Sequence, residues 1–330
     1  MAATIKDISR ETGLSVATIS KYLNGGNLLP KNYEVIKQSV ERNNYTINSI
    51  AKGLKTRKSN IIGVLTSSLD NIYDAKITVH IEDYLRSNGY GTLICDYRGD
   101  DNLIYSCVEF LISKNVDGII CFPYSNDGQF LQTAIKKSIP VVCIDKEIVG
   151  IDCDNILVDN VKIAYIAVTD IIKKNYKRIG IICGPKGIST SDDRLRGYCD
   201  ALKDANMKIN EKYISQGGYE AESSKNRFKE MMALPEPPDA IFFTNYYITI
   251  AGLIAINELG LEVPSQLAVV GYDNFELTQV FRPKIAIVAP PVEELAKEAS
   301  SHILGRINGA LNGSYETVIL DAQYISEKSL

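Results

Sequence analysis

The sequence predicts a small all-α segment at its N-terminal end, followed by a large, doubly wound α/β body. Two observations support this fold class. Up to about residue 60, short helical patterns are separated by glycines and polar turns. From Ile61 onward, short continuous apolar runs alternate with amphipathic helical patterns, which is typical of parallel strands covered on both faces by helices. The 330 residues are long enough for two or more domains.

Three short helices are predicted in the first segment. Ile5 and Ile8 mark the first helix, Gly13 breaks it, and Ser15 is suited to cap the start of the second. The second helix ends in the turn NGGN, and the third begins near Pro30. The predicted apolar face of the third helix consists of Val35, Ile36 and Val40. Two helices joined by such a tight turn predict a helix-turn-helix, whose second helix enters the DNA major groove with its N-terminal half.

The second helix presents small and basic side chains where a core helix would present a wide apolar stripe. Its packing residues are Ile19 and Leu23. The side chains that project outward are Val16, Ala17, Ser20 and Lys21. The valine and the alanine can only contact thymine methyl groups, whereas the lysine can reach guanine acceptors or a phosphate. A DNA-reading surface is therefore predicted, with an incidental helical hairpin as the alternative.

Charge is distributed unevenly along the chain. Residues 1–60 contain ten Lys or Arg and four Asp or Glu, a net charge of +6, whereas the whole chain carries −4, which leaves −10 for the remainder. The basic segment includes a brief helical pattern at 45–59, with Ile50, Ala51 and Leu54 on one side and basic residues around them. These features predict a basic module that binds a polyanion, with a solvated basic face and a plain linker as the alternatives.

The body contains eight predicted strands with helices between them. The strands are IIGVLTSS, GTLICDY, DGIICFP, IPVVCID, NILVDN, RIGIICG, AIFFTN and LAVVGYDN. The helices include AKITVHIEDYLRSNG, SCVEFLISKNV, AYIAVTDIIKKN, LRGYCDALKDAN and ITIAGLIAINELG.

Composition and motif content disfavour several functional classes. No apolar run approaches the roughly 18 residues of a membrane span, and the charged start MAATIKDISRE lacks the apolar core of a secretory leader, so a cytoplasmic location is expected. Four of the seven cysteines lie in apolar runs, without CxxC spacing, and are predicted to be buried thiols rather than disulfides or metal ligands. No dinucleotide or P-loop motif is present, and His80 and His302 have no partner motif, so no enzyme, cofactor or metal site is expected.

The whole chain resembles the LacI/GalR family of bacterial transcription regulators. The resemblance is carried by TIKDISRETGLSVATISKYLNG and YTINSIAKGLKTRKSNIIGVL in the first part, and by NGYGTLICDY, VDGIICFP, IPVVCIDK, ILVDN, KRIGIICG, DRLRGYCDAL and LAVVGYDN in the body. It implies a periplasmic-binding-protein-like body and three regions. These are a DNA-binding headpiece at 1–46, a hinge helix and linker at 47–60, and an effector-binding and dimerisation domain at 61–330. The two subdomains of the last would be about 61–160 with 289–318, and 161–288 with 319–330. By the same resemblance, AIVAPPVEELAKEASSHILGRI would be a helix that returns to the first subdomain, and YETVILDAQYI would supply the closing strands.

The resemblance also implies two sets of site residues. The DNA-binding set is Thr4, Ser15, Val16, Ala17, Thr18, Ser20, Lys21, Asn24, Ile50, Ala51, Leu54 and Lys55. Within it, Leu54 would insert into the minor groove at the operator centre and kink the duplex. The effector-binding set is Tyr73, Asp74, Lys146, Arg194, Tyr219, Asn245, Tyr246 and Asp273. Within it, the planar fork of Arg194 suits paired hydroxyls or a carboxylate, and Asp273 would accept hydroxyl protons.

These features together predict a sequence-specific DNA-binding repressor whose operator affinity is controlled by a small-molecule effector, with a carbohydrate as the implied class. The protein is expected to bind a pseudo-palindromic, double-stranded operator as a homodimer, with no membrane contact, no cofactor, no metal ion and no catalytic residues. The alternative is a cytosolic sugar-binding or solute-binding protein without DNA function, which the basic N-terminal segment disfavours.

Overall fold

The chain divides into two compact units, unit 1 (Met1–Ser59) and unit 2 (Asn60–Leu330). A computed structural model describes residues 3–23, 25–45, 58–273 and 280–330. Each unit has its own hydrophobic core.

The described residues of unit 1 form three short helices around a small apolar core. They are α1 (Ile5–Thr12), α2 (Val16–Leu23) and α3 (Pro30–Arg42). Each contributes one fully buried isoleucine, Ile8, Ile19 and Ile36. Gly13 follows α1 in a left-handed conformation with φ of 68°, and the Ser15 hydroxyl caps α2 by accepting a hydrogen bond from the Thr18 N–H at 3.2 Å. The three predicted helices are therefore present in the predicted order.

The predicted apolar face of α3 was wrong at one position. Val35 is 39% exposed, whereas its neighbour Ile36 is fully buried. Successive residues of an α-helix point about 100° apart, so the side chain before Ile36 turns away from the core. The helix is also held by polar contacts with α1, because Glu11 accepts hydrogen bonds from the Ser39 hydroxyl at 2.8 Å and from Arg42 at 2.7 Å.

Within the described part of unit 2, twelve strands form two sheets of six. The strands are β1 (Ile61–Thr66), β2 (Gly91–Asp96), β3 (Gly118–Cys121), β4 (Val141–Ile144), β5 (Asp154–Val158), β6 (Ile179–Cys183), β7 (Ile214–Gln216), β8 (Ala240–Phe243), β9 (Ala268–Tyr272), β10 (Ala286–Ala289), β11 (Thr317–Leu320) and β12 (Gln323–Ile325). The first sheet has the order β11-β5-β4-β3-β1-β2 and the second β12-β10-β9-β8-β6-β7. Neighbouring strands are parallel except for β10 and β12. The half of unit 2 built on the first sheet is called lobe 1, and the half built on the second is called lobe 2.

Helices cover both faces of each sheet, which confirms the predicted doubly wound α/β class. They are α4 (Ile72–Ser87), α5 (Asp101–Ser113), α6 (Gln132–Lys136), α7 (Asn160–Lys173), α8 (Ser189–Asp204), α9 (Ala221–Met232), α10 (Tyr246–Glu258) and α11 (Val292–Asn308). Lobe 1 packs α4 and α11 on one face and α5 and α6 on the other, while lobe 2 packs α7 and α8 opposite α9 and α10. Most strands are thus buried on both faces, which explains their continuous apolar runs.

The described chain crosses between the lobes after β5, after β10 and after β11, and two predicted boundaries need correction. The predicted boundary at 318/319 lies inside β11, which pairs with β5 in lobe 1, so the crossing occurs after Leu320. The stretch AIVA is strand β10 of lobe 2 and not the start of the returning helix. Pro290 and Pro291 separate it from α11, because proline has no N–H to donate and disfavours helix in the residue before it.

Three further features of the described residues concern cysteine pairing, membrane-spanning helices and metal sites. All seven cysteines are free thiols, and five of them are buried. None of the described helices is both long and apolar enough to span a membrane. In the same part of the chain, no group of His, Cys, Asp and Glu side chains could hold a metal ion.

Candidate functional site

A cavity of about 240 Å³ lies between the lobes of unit 2, at the carboxyl ends of the parallel strands. Lobe 1 lines it with residues that follow β1, β2, β3 and β4. Lobe 2 lines it with residues that follow β6, β7, β8 and β9. In doubly wound folds, the loops after the strand carboxyl ends carry the ligand site, so this cavity is the main candidate in unit 2.

Seven of the eight residues predicted to bind the effector line this cavity. They are Tyr73, Asp74, Lys146, Arg194, Tyr219, Asn245 and Asp273. The exception is Tyr246, the first residue of α10, because the side chain that reaches the cavity is that of the next residue, Tyr247. Tyr246 contributes through its backbone, whose N–H donates to Oδ2 of Asp273 at 3.0 Å. The prediction is therefore corrected at this position, where the main chain rather than the side chain belongs to the site.

Arg194 is held rigidly in the wall of the cavity. Its Nε donates to Oδ1 of Asn160 at 2.8 Å and its Nη1 donates to the Thr244 carbonyl at 2.6 Å. The guanidinium lies 3.8 Å from the centre of the Tyr272 ring, and the Tyr272 hydroxyl also donates to Asn160. Burial alone would lower the pKa of Arg194, but Tyr272 and Asp273 raise it above its ordinary value. The guanidinium is therefore a fixed positive charge in the cavity wall.

Asp273 follows β9 in a left-handed conformation, with φ of 75°. Its own N–H donates to the Val288 carbonyl at 2.9 Å, which anchors the backbone, while the Tyr246 N–H donates to its carboxylate. Burial raises the pKa of this carboxyl to about 7, with Arg194 opposing the rise and Asp145 adding to it. Near neutral pH, Asp273 can therefore exchange a proton as its hydrogen-bond partners change.

Asp74 is a second buried carboxyl in the cavity, contributed by the first turn of α4. It is 4% exposed and accepts hydrogen bonds from the Ser67 hydroxyl at 2.7 Å and the Asn71 amide at 3.1 Å. Burial raises its pKa to about 6, against the opposing effect of Lys146. The Lys146 ammonium pairs with the carboxylate of Asp145 at 3.0 Å. Lobe 1 thus places two carboxyls and one ammonium in the cleft.

Two tyrosines give the cavity apolar surface with polar ends. Within the described chain, the buried hydroxyl of Tyr73 has no hydrogen-bond partner, and burial raises its pKa well above the ordinary value. Tyr219 lies over the backbone of Gly184, where an added Cβ would stand 2.3 Å from the tyrosine hydroxyl oxygen. The glycine therefore provides the space in which this ring lies, and the Tyr73 hydroxyl is available to a ligand or a water molecule.

The start of α10 joins the lobes at the edge of the cavity. Oδ1 of Asn245 caps the helix by accepting a hydrogen bond from the Tyr247 N–H at 2.9 Å. The hydroxyl of Tyr247 then donates across the cleft to the carbonyl of Asp70 in lobe 1, at 3.1 Å. One tyrosine therefore both lines the cavity and links its two walls.

Sequence reasoning missed several residues that the fold brings to the cavity. Among the side chains that line it are Ser67, Arg98, Tyr124, Asp145 and Tyr247. Ser67, Asp145 and Arg98 come shortly after β1, β4 and β2, so their position at strand ends was a usable signal. Asn160 and Tyr272, which hold Arg194, gave no comparable signal, because their role depends on a contact between residues far apart in the sequence.

In unit 1, the exposed face of α2 carries the side chains predicted to read DNA. Val16 is 42% exposed, and Ala17 and Lys21 are also exposed. Ser20 and Thr18 are partly exposed, and Ser15 serves as the helix cap. Thr4 lies at the start of α1, where its N–H and hydroxyl both donate to the Asp7 carboxylate. The remaining predicted DNA contacts lie outside the described residues, namely Asn24, Ile50, Ala51, Leu54 and Lys55.

Comparison with known proteins gives a consistent set of relatives. Residues 168–329 match the family model of the periplasmic binding protein-like domain. The ribose operon repressor of Haemophilus influenzae is 29% identical over 99% of this chain and 98% of its own length. The PurR repressor of Proteus mirabilis is 30% identical over 92% of this chain and 90% of its own. The crystal structure of the lac repressor dimer bound to operator and the anti-inducer ONPF superposes with a TM-score of 0.87 at 21% identity, covering 100% of this chain and 99% of that one.

Proposed function

Because the chain belongs to the LacI/GalR family of effector-controlled, DNA-binding transcriptional repressors, we propose that the cavity of unit 2 binds the effector and that the exposed face of α2 reads the operator. The main observation behind the proposal is that four charged residues line one cleft between the two lobes. They are Arg194, Asp273, Asp74 and Lys146. Such a cleft can bind a ligand to both lobes at once and so favour one arrangement of the lobes over another. The alternative of a solute-binding protein without DNA function is set aside, because repressors match the chain over nearly its whole length.

A carbohydrate is the proposed class of effector. Carboxylates and a guanidinium fork bind paired sugar hydroxyls through charge-assisted hydrogen bonds. The rings of Tyr73 and Tyr219 offer apolar faces for the C–H surface of a sugar ring, and the Tyr73 hydroxyl is free for a further bond within the described chain. The relative from Haemophilus influenzae is named a ribose operon repressor, which supports the same class.

The operator is proposed to be a pseudo-palindromic duplex bound by two copies of the chain in the cytoplasm. A single α2 offers few base contacts, and two copies related by a two-fold axis would read two half-sites. Residues 1–46 are proposed to form the headpiece and 47–60 the hinge, with Leu54 as the side chain inserted at the operator centre. The lac repressor structure, which holds a dimer on its operator, supports this arrangement.

The proposal is tested by thermal unfolding of the full chain in the presence of candidate ligands. D-ribose, D-glucose and a set of disaccharides represent the proposed class, and adenine represents a planar heterocycle on which tyrosines could also stack. A ligand that binds the folded state alone raises the midpoint of unfolding, because it adds RT ln(1 + [L]/Kd) to stability. We expect at least one sugar to raise the midpoint in the parent and not in Arg194→Ala. A rise with adenine alone, or an equal rise in both proteins, would contradict the proposed effector site.

A further inference from the structure

Two glycines that come shortly after α2, Gly25 and Gly26, lie against the last turn of that helix. Gly26, three residues beyond the end of α2, donates its N–H to the carbonyl of Lys21 at 2.8 Å. Gly25 precedes it in a left-handed conformation, with φ of 69°. The backbone of Gly26 therefore lies against the last turn of α2, on the side from which Lys21 projects.

The side chain of Lys21 passes directly over Gly26. A Cβ added at Gly26 would stand 2.6 Å from Cγ of Lys21 and 3.3 Å from its Cε, so the first of these contacts leaves no room for a methyl group. Lys21 is exposed, and its ammonium makes no hydrogen bond or ion pair within the part of the chain that the structure describes. The aliphatic part of the Lys21 side chain therefore lies against the Gly26 backbone, while the ammonium group is available for contact with another molecule.

We propose that Gly26 is a positioning residue for operator reading. Because Gly26 has no side chain, the aliphatic part of Lys21 can lie over the α-carbon of Gly26, and this contact sets the direction of the lysine. A lysine has a long, flexible stem, so confining it before binding reduces the freedom that it loses on the DNA. The inference rests on the proposed function, in which the exposed face of α2 reads the operator. Gly26 lies outside α2, yet in this proposal it influences which base Lys21, within α2, prefers to contact.

The neighbouring glycine provides a matched control, because the two glycines are required for different reasons. At Gly25 an added Cβ would meet nothing within 4 Å, but the positive φ disfavours other residues. Gly26 does not have a positive φ, so alanine is disfavoured there only by the contact with Lys21. Gly25→Ala therefore strains the turn without touching the lysine, and Gly26→Ala displaces the lysine without straining φ.

The test selects preferred duplexes from a randomised double-stranded pool with the full-length parent, Gly26→Ala, Gly25→Ala, Lys21→Ala and the double variant Lys21→Ala/Gly26→Ala. We expect Lys21→Ala and Gly26→Ala to lose base preference at the same position of each half-site. On the duplex selected by the parent, Gly26→Ala should weaken binding roughly tenfold, the size of one lost base contact. Gly25→Ala should keep the parent's base preference at that position.

The double variant separates side-chain positioning from a general effect on the turn. The added methyl would also stand 3.0 Å from the Lys21 carbonyl oxygen, a contact that remains when the lysine side chain is removed. We expect Gly26→Ala to cost little further affinity in the Lys21→Ala background. An equal cost in both backgrounds, or an unchanged base preference in Gly26→Ala, would overturn the inference. If Lys21→Ala itself keeps the parent's preference, the proposed reading surface fails as well.

Discussion

Burial raises the pKa values of two carboxyl groups in the cleft, those of Asp74 and Asp273. Asp74 and Asp273 keep their protons to about pH 6 and pH 7, because burial disfavours their charged forms. Arg194 remains charged, since Tyr272 and Asp273 raise its pKa against the effect of burial. Asn160 and the Thr244 carbonyl accept hydrogen bonds from two of its nitrogens and hold it in place. A ligand that donates hydroxyl protons to these carboxyls favours their ionised forms, so its binding should release protons near neutral pH.

The substitution Asp273→Asn should change how stability depends on pH. An aspartate ionises near pH 3.9 in the unfolded chain, whereas the folded protein holds the pKa of Asp273 at about 7. The stability contributed by this raised pKa is full below about pH 4 and is lost as the pH rises through 7. From pH 5 to pH 8, the variant should therefore gain on the order of 2 kcal/mol in free energy of unfolding relative to the parent. Denaturant unfolding of the ligand-free protein at both pH values measures this change.

The control for this experiment is Asp101→Asn, which alters an exposed carboxylate in the first turn of α5. It should follow the parent at both pH values. A gain in Asp101→Asn as large as that in Asp273→Asn would contradict a specific effect of burial at Asp273.

The substitution Arg194→Lys should reduce effector affinity without changing operator affinity. Lysine keeps the charge but lacks the planar fork, and Asn160 and the Thr244 carbonyl would lose their fixed donor. Lost charge-assisted hydrogen bonds predict a rise in Kd of roughly tenfold to a few hundredfold. Calorimetric titration with the sugar identified by thermal unfolding measures the loss. Arg196→Lys, which changes an exposed arginine two residues along α8, should bind that sugar like the parent.

Among the secondary-structure elements, those with strong apolar patterns were predictable and the weaker ones were not. The eight strand segments follow from continuous apolar runs, whereas the returning helix was indicated by the family resemblance. Strand β7 was missed because it has three partly exposed residues at a sheet edge. Helix α9 was not identified because the buried residues of its polar sequence are Ser224, Phe228 and Met231. AIVA was assigned to a helix because four apolar residues before a helix carry no period of their own.

The start of α10 shows why only part of the site followed from the sequence. The resemblance indicated Tyr246, the residue directly after Asn245, whereas the side chain that lines the cavity is that of Tyr247. Which of the two faces the cavity depends on the rotation of α10, which Asn245 sets by capping the helix at the Tyr247 N–H. The link from Tyr247 to Asp70 joins residues 177 positions apart, so no local pattern could have indicated it.

Removing the hydroxyl of Tyr247 should weaken the link between the lobes at the start of α10. In Tyr247→Phe the hydrogen bond to the Asp70 carbonyl is lost while the ring is kept. A net hydrogen bond contributes about 0.5–1.5 kcal/mol, so effector affinity should fall by roughly twofold to tenfold, because the link helps to hold the two lobes around the effector. Tyr246→Phe is the matched control, since that side chain does not line the cavity. Equal effector affinity in both variants would show that the link has no part in effector binding.

At the scale of the whole molecule, the fold makes unit 2 a two-lobed body joined by three crossings of the described chain. A ligand that contacts both lobes can stabilise one arrangement only to the extent that it binds that arrangement more tightly than the other. The coupling to operator binding is reciprocal, so operator DNA must change effector affinity by the same factor as the effector changes operator affinity. In the proposed function, the cleft residues and the α2 residues would therefore act through shared conformational states.

Self-association should involve the edge of lobe 1 formed by β2 and α5. Ile94 on β2 is 41% exposed, and Leu103 and Phe110 on α5 are 42% and 44% exposed. The two helix residues are seven apart and so lie on the same face of α5. Strand β2 is also the edge of its sheet. Exposed apolar side chains on neighbouring elements are typical of a protein interface, which favours this edge as a contact between two copies.

Placing a charge on this edge should separate the two copies and thereby weaken operator binding. Phe110→Glu puts a carboxylate where the proposed contact would bury an aromatic ring. Its burial is unfavourable even beside Lys114, whose ammonium lies 5.1 Å from the centre of the Phe110 ring, because both charges would have to leave water. Sedimentation at micromolar concentration should show the parent as a dimer and this variant shifted toward the monomer, with operator affinity reduced because two half-sites are no longer bound together. Ile319→Glu is the matched control, because Ile319 is 61% exposed on β11, at the opposite edge of the same sheet. A dimer that persists in Phe110→Glu and dissociates in Ile319→Glu would place the contact on the β11 edge instead.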